Sequence, residues 1–212
     1  MPTSVRGAGV VRIVSGKWRR SVIPVQAAVG LRPTSERVRE TVFDWLGHLL
    51  PSLGECAVLD LFAGSGAMGF EAASRGADQV DWVDVNRQSI AGIRAALQRL
   101  GADSHKQAHV MDAFRHLQQT KTTYDLIFID PPFDLDLQRR AVEAAKRCMK
   151  PEGLLYVESP KDLLADEYLT EQALVRVRSG SAGSVRYELL AFVGSAMAGL
   201  ARPSKEEKRR KK

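Results

Sequence analysis

From Ala57 onward the hydrophobic period of this chain switches repeatedly between that of a strand and that of a helix, a pattern that few folds accommodate. Strand-like apolar runs fall at Ala57 to Phe62, Val80 to Asp84, Ala108 to Met111, Asp125 to Asp130 and Leu154 to Glu158. Helical spacing lies between them, at Ile90, Ile93, Leu97 and Leu100 and again at Val142, Ala145 and Met149. Strands that alternate with helices build parallel βαβ units, so an α/β fold with an open sheet covered on both faces is expected. The end of the pattern differs. Leu174 to Arg178 and Val185 to Val193 alternate as two strands around the Gly- and Ser-rich stretch 179–184, which predicts an antiparallel hairpin.

Ahead of this region, Val10, Val11, Ile13 and Val14, a turn at Ser15-Gly16-Lys17, and Val22, Ile23 and Val25 predict a small hairpin. A helix should follow, with Thr34 as its cap, Val38, Val42, Trp45/Leu46 and Leu49 on its buried side, and Pro51 ending it. The expected organisation is a basic hairpin appendage over 1–32, one α/β domain over 33–195 and a basic, disordered tail over 196–212. At 212 residues and 44% hydrophobic content the chain supports one core. No apolar run approaches the roughly 20 residues of a membrane span, and the N-terminus lacks the apolar stretch of a secretory leader. Cys56 and Cys148 form no C-x-x-C spacing, and His48, His105, His109 and His116 are scattered, so neither a disulfide framework nor a metal site is implied. A reducing cytoplasm is the expected compartment.

The net charge of +6 is unevenly placed. Residues 1–40 carry eight Lys/Arg against two Glu, residues 202–212 carry seven against two, and the middle is acidic by five. Basic ends on an acidic body suit a polyanionic partner, because each phosphate neutralised by Lys or Arg releases condensed counterions. For the last eight residues alone, a solubilising charge run explains the composition equally well.

The turn Asp60-Leu61-Phe62-Ala63-Gly64-Ser65-Gly66-Ala67-Met68-Gly69 joins the first parallel strand to a small-residue helix and matches G-x-G-x-x-G. Such glycines permit a tight turn and let a ligand approach the backbone. Asp84 ends the next strand twenty residues after Gly64, where a carboxylate can accept both hydroxyl protons of a ribose. Asp60 decides between nucleotide ligands. A dinucleotide would set its pyrophosphate at the helix start, and a carboxylate there would repel it. S-adenosylmethionine, which carries an ammonium and a sulfonium, suits an acid in that place. Asp112, after the third strand run, could accept a hydrogen bond from the adenine amine. The alternative is that Asp60 and Asp112 merely cap helices.

Asp130-Pro131-Pro132-Phe133 closes the apolar run from Tyr124, and ligands of such sheets bind beyond the carboxyl ends of the strands. The prolines hold neighbouring carbonyls rigidly as acceptors. Phe133 offers a flat face to a base drawn out of its stack. Acceptors on an exocyclic amine help its nitrogen pyramidalise toward a methyl group. A carboxylate only accepts, which matches guanine, with its adjacent N1–H and N2–H donors, better than adenine.

These residues resemble bacterial 16S ribosomal RNA guanine-N2 methyltransferases of the RsmD type over roughly residues 12–193. The motifs that carry the resemblance are Arg12 to Arg19, Arg32-Pro33-Thr34, Arg37 to Glu40, Leu59 to Gly69, Glu71 to Ala77 and Asp130 to Phe133. It implies a Rossmann-like class I methyltransferase fold: a mostly parallel seven-stranded sheet with a C-terminal antiparallel hairpin. It implies S-adenosylmethionine as cofactor, held by Asp60, Phe62, Ala63, Gly64, Gly66, Asp84, Val85, Asp112 and Ala113. Asp130, Pro131, Pro132 and Phe133 would carry the catalysis. Arg12, Lys17, Trp18, Arg19, Arg32 and Thr34 would meet the RNA, with Trp18 open to a packing role instead. The partner would be 16S rRNA, either naked or in a partly or fully assembled small subunit, and the protein a monomer. The competing activities are methylation of adenine N6 or of protein glutamine, a nucleotide-dependent dehydrogenase, and a non-catalytic RNA-binding assembly protein.

Overall fold

The computed structural model describes residues 9–25, 36–132, 137–160 and 163–202, Val25 by its backbone only. Thr34, Arg32 and Phe133 lie outside these residues, as does the chain beyond 202. The chain divides into two compact units, residues 1–116 and 117–212. One two-stranded sheet pairs β1 (Gly9–Arg12) with β2 (Val22–Val25). The other strands are β3 (Ala57–Asp60), β4 (Gln79–Asp84), β5 (Lys106–Val110), β6 (Tyr124–Ile129), β7 (Met149–Pro160), β8 (Leu174–Ala182) and β9 (Val185–Phe192). They form a seven-stranded sheet in the order β5-β4-β3-β6-β7-β9-β8. The pairs β3/β4, β4/β5 and β6/β7 are parallel, and β7/β9 and β8/β9 antiparallel. Among the described residues no helix is long and apolar enough to cross a membrane.

In the first unit, α1 (Glu36–Leu49) buries Val38, Val42, Phe43, Leu46 and Leu49. Leu46 takes the buried place that the spacing shares between Trp45 and Leu46, Trp45 is only half-buried, and Phe43 widens the buried face. Helix α2 (Ala67–Ser74) is the key element, because all eight of its residues are buried. A helix apolar around most of its circumference must be covered on every side. On the β4 side, a Cβ on Gly69 would lie 2.2 Å from Nε1 of Trp82, whose N–H donates to the Gly66 carbonyl at 3.2 Å. Helix α3 (Arg87–Arg99) starts cleanly because Asn86 Oδ1 accepts from the amides of Gln88 and Ser89 at 2.9 and 3.1 Å.

The segment from Ile13 to Ser21 is not a simple hairpin turn but a docking loop on α2. Buried Glu71 accepts from the amides of Val14 at 2.8 Å and Ser15 at 3.1 Å, and from Arg75 Nε at 2.8 Å. Ser74 accepts from Lys17 N at its carbonyl (2.6 Å) and from Trp18 N at its hydroxyl (2.9 Å). Arg75 lies over the Phe43 ring at 4.9 Å, and Arg39 donates to the Arg12 carbonyl at 2.8 Å. Two motifs that lie almost 60 residues apart, Arg12 to Arg19 and Glu71 to Ala77, are thus the two sides of one interface.

In the second unit, α5 (Gln138–Ala145) connects β6 to β7, and α6 (Asp166–Glu171) leads to β8. The hairpin turn is shorter than expected. Ser179 to Ala182 belong to β8, since Gly180 stands opposite Tyr187 and a Cβ there would lie 2.5 Å from the tyrosine ring. Glycine in this strand therefore makes room for an aromatic neighbour. Residues 196–202, expected in the tail, are held in place. Ser195 caps the short α7 (Ala196–Gly199), Arg178 donates to the Leu200 carbonyl at 2.6 Å, and Arg202 N donates to that of Val177 at 3.2 Å.

Gly16 adopts φ +81°, and a Cβ on it would stand 1.8 Å from the Ser74 carbonyl oxygen. Gly16→Ala should therefore push the docking loop off α2 and lower stability by about 2 kcal/mol or more, read as a lower urea midpoint. A midpoint equal to wild type would mean that the loop does not depend on this approach.

Candidate active site

β3 delivers Asp60 to the start of the glycine turn, and β4 delivers Asp84 beside it. Gly64 and Gly66 take φ +49° and +76°, left-handed values that suit glycine. The turn is closed by Gly66 N to the Ala63 carbonyl at 2.6 Å and fastened to β4 by Ala63 N to the Val83 carbonyl at 2.9 Å. Asp84 accepts from Gly64 N through Oδ2 and from Asn86 N through Oδ1, each at 2.7 Å. Asp60 Oδ2 accepts from Gly69 N at 3.0 Å. Two carboxylates therefore hold the turn, one at each side.

Their environments differ. Asp84 is half-buried, whereas Asp60 is 5% exposed. Burial pushes the Asp60 carboxyl up to about 7, the Gly69 amide opposes this, and the Asp84 charge adds to it. A buried acid poised at neutrality favours a cationic neighbour and disfavours an anionic one. Asp112 is exposed and its Oδ1 accepts from Arg115 N at 2.9 Å, so it caps α4 (Ala113–Gln119). Both Asp60 and Asp112 do bind helix amides, and the capping role coexists with any ligand role. Phe62 meets Phe114 edge to face at 6.4 Å. Ala63 and Ala113 are buried, and Val85, directly after Asp84, is 67% exposed.

In the second unit Asp130 is half-buried just beyond β6, Pro131 is buried and Pro132 exposed. Close by in sequence and topology, the Tyr156 hydroxyl donates to Glu158 Oε1 at 2.7 Å. Neither residue stands out in the sequence except that Glu158, like Asp130, ends an apolar strand run, although β7 itself continues to Pro160. Gln138 and Ser159 are wholly buried, and their side-chain polar atoms have no hydrogen-bond partner among the described residues. Glu71 was likewise readable only as half of an i, i+4 ion pair with Arg75, and its larger role, holding the docking loop, comes from tertiary contact.

The docking loop presents Arg12, Lys17, Arg19 and Arg20 to solvent in the same unit as the glycine turn. Trp18 is 7% exposed, which favours its packing role over base stacking. His109 reaches buried Asp81 at 3.0 Å and stacks 5.5 Å from His116, whose pKa burial lowers.

The family model described as "Conserved hypothetical protein 95" matches residues 11–191. A Haemophilus influenzae protein named ribosomal RNA small subunit methyltransferase D is 36% identical over 187 residues, covering 85% of this chain and 93% of that one. The protein of the same name from Escherichia coli K12 is 37% identical over 155 residues, covering 72% and 76%. The chain belongs to this family. A solved structure, a putative methyltransferase yhhF from Escherichia coli, superposes with TM-score 0.74 at 34% identity, covering 86% of this chain and 97% of that one. The family match runs from Val11 in β1 into β9, so it takes in Asp60, Asp84 and Asp130 and leaves out residues 1–10 and the basic tail. The seven-stranded sheet and its terminal hairpin are those of class I methyltransferases.

The Asp60 carboxyl titrates higher in the folded chain than its ordinary value of 3.8, so folding favours its protonated form. That contribution to stability is complete below about pH 4 and is lost as pH rises through about 7. Urea denaturation of wild type and Asp60→Asn across this range should show the wild type losing ground to the variant as pH rises. Parallel curves would place the Asp60 pKa back in the ordinary carboxylate range.

Proposed function

We propose that this protein transfers a methyl group from S-adenosylmethionine to the exocyclic N2 amine of a guanine in 16S ribosomal RNA. The observation that carries the cofactor reading is Asp60: a buried acid poised near neutrality at the head of a glycine turn, suited to a cationic amino-acid end and unsuited to a pyrophosphate. The same observation disfavours a nucleotide-dependent dehydrogenase. When bound, S-adenosylmethionine supplies an electrophilic methyl group on a sulfonium sulfur. Asp60 with the Gly64 and Gly66 backbone holds its methionine end. Asp84, already fixed by two amides, turns its remaining lone pairs to the ribose. Asp112, with Phe62, Ala63 and Ala113 and the exposed apolar face of Val85, encloses the adenine.

Asp130 accepts from the target amine, with the carbonyls beside Pro131 and Pro132 as rigid auxiliaries and Phe133 as the stacking face. Hydrogen bonds accepted from the amine N–H groups push electron density onto the nitrogen and make its lone pair available. With the cofactor bound, that lone pair would take the methyl group, and Asp130, already hydrogen-bonded to the amine, would receive the proton that the nitrogen sheds. The names of the relatives support ribosomal RNA of the small subunit as substrate. The guanine N2 choice rests on Asp130 being an acceptor only. Arg12, Lys17 and Arg19 on the docking loop, with Arg32 and Thr34, face the RNA backbone, and Trp18 supports that surface from beneath. Mass-spectrometric mapping of small-subunit RNA from a deletion strain should reveal one guanine that lacks its N2 methyl group. A full set of modifications would sink the proposal.

Asp130→Asn keeps the shape but exchanges an acceptor for a donor. Turnover on RNA should fall by about 10- to 100-fold with cofactor affinity nearly unchanged, as single-turnover kinetics and calorimetry would measure. Near-normal turnover would mean that the target amine does not need an acceptor-only group at position 130.

Replacing Arg12, Lys17, Arg19 and Arg20 together by neutral residues should weaken RNA binding. It should also flatten the slope of log affinity against log salt by about 0.7 per lost single-strand contact. A slope equal to wild type would assign these residues to folding rather than to RNA.

A further inference from the structure

β6 and β7 run parallel with Phe128 opposite Tyr156 and Ile129 opposite Val157. The next position in that register sets Asp130 beside Glu158, on strands about 4.8 Å apart. Side chains alternate along a strand, so Phe128 and Asp130 share one face with Tyr156 and Glu158. The edge-to-face contact of Phe128 with Tyr156 at 5.6 Å lies on that face. On the far side β9 pairs Glu158 with Tyr187, and Tyr187 in turn faces Gly180 of β8, whose missing side chain leaves room for its ring. Asp130, Glu158, Tyr187 and Gly180 thus form a row across four strands, within one unit of the chain. Tyr156 is wholly buried beneath this row and its hydroxyl donates to Glu158. Burial, and then the charge of Glu158, hold that phenol protonated, with Asp130 and Tyr187 adding to the effect, so it serves as a donor to the carboxylate. Glu158 itself is only half-buried, which leaves it within reach of a base.

We infer that Glu158 is a second acceptor for the target base, taking the N1–H of guanine while the neighbouring Asp130 takes the N2 amine. The inference rests on the guanine-N2 reading above and divides its labour between two residues. Guanine presents N1–H and N2–H as adjacent donors, and two acceptor-only groups side by side match that edge. A base with a lone pair at N1 would meet a carboxylate with no proton between them. Tyr156 positions Glu158 by binding one of its oxygens, and it tempers the repulsion between the two acids by spreading the charge. The role is therefore one of specificity, distinct from the activation that Asp130 provides.

The test compares full-length wild type, Glu158→Gln and Tyr156→Phe on RNA carrying either guanosine or 2-aminopurine at the mapped target. 2-Aminopurine keeps the N2 amine but has a lone pair at N1. Wild type should prefer guanosine in kcat/KM. Glu158→Gln, whose amide can donate to N1, should lower kcat/KM on guanosine while sparing or raising that on 2-aminopurine, narrowing the preference by about tenfold. Tyr156→Phe should narrow it in the same direction by less, and it carries the test alone if the first variant does not fold. Cofactor affinity should stay at the wild-type value in both. A preference that is unchanged, or an equal loss on both bases, would overturn the inference and leave Glu158 a structural residue. Absence of N2-methylguanine in the wild-type product would instead overturn the parent reading, and that result is seen before any variant is made.

Discussion

Helix α2 is buried at every one of its eight residues, and this constraint organises the first unit. So short a helix does not persist alone in water, and every polar group on it needs an internal partner. At one end the Gly69 amide finds Asp60, which fixes the glycine turn. At the other, Glu71 and Ser74 find the backbone of residues 14–18, which fixes the basic loop. The face toward β4 has no slack either, since Gly69 lies against Trp82 with no room for a side chain. Glycine turn and docking loop are therefore set by one rigid rod rather than by separate arrangements.

The carboxylates of this protein show how burial is handled differently where chemistry is proposed. Glu71 is as buried as any, yet it receives two amides and an arginine. Glu188 is wholly buried and has Arg176 bonded to it, although burial still raises its pKa. Asp60 receives one amide, with a second acid nearby, and is left near neutrality. An acid under-compensated in the folded state can be compensated by a ligand, and that shortfall sets Asp60 apart from its structural counterparts.

Much of this was legible in the sequence because it depends on periodicity and on local chemistry. The strand and helix alternation, the glycine turn and the acids that end β3, β4 and β6 all follow from patterns within a few residues. What escaped depends on contacts across the chain. Ser179 to Ala182 look like a turn by composition, and only the ring of Tyr187 explains why glycine belongs there in a strand. Glu71 looks like a partner for Arg75, and nothing nearby in sequence announces the amides of Val14 and Ser15. Trp18 could have faced solvent or core, and the docking of its neighbours on Ser74 decides for the core. Ala196 to Arg202 resemble the tail that follows, but their backbone is tied to β8.

The docking loop is attached almost wholly through its main chain: Val14, Ser15, Lys17 and Trp18 each give an amide proton to α2. The side chains of Lys17 and Arg19 take no part in that attachment and point to solvent. Anchorage and surface chemistry are thereby decoupled, with Gly16 and Trp18 as the positions held by shape. A loop built in this way can drift in charge, reach and hydrogen-bonding pattern from one descendant to the next while its path over the enzyme stays constant. Single substitutions can therefore change what this loop shows to solvent without rebuilding the scaffold beneath.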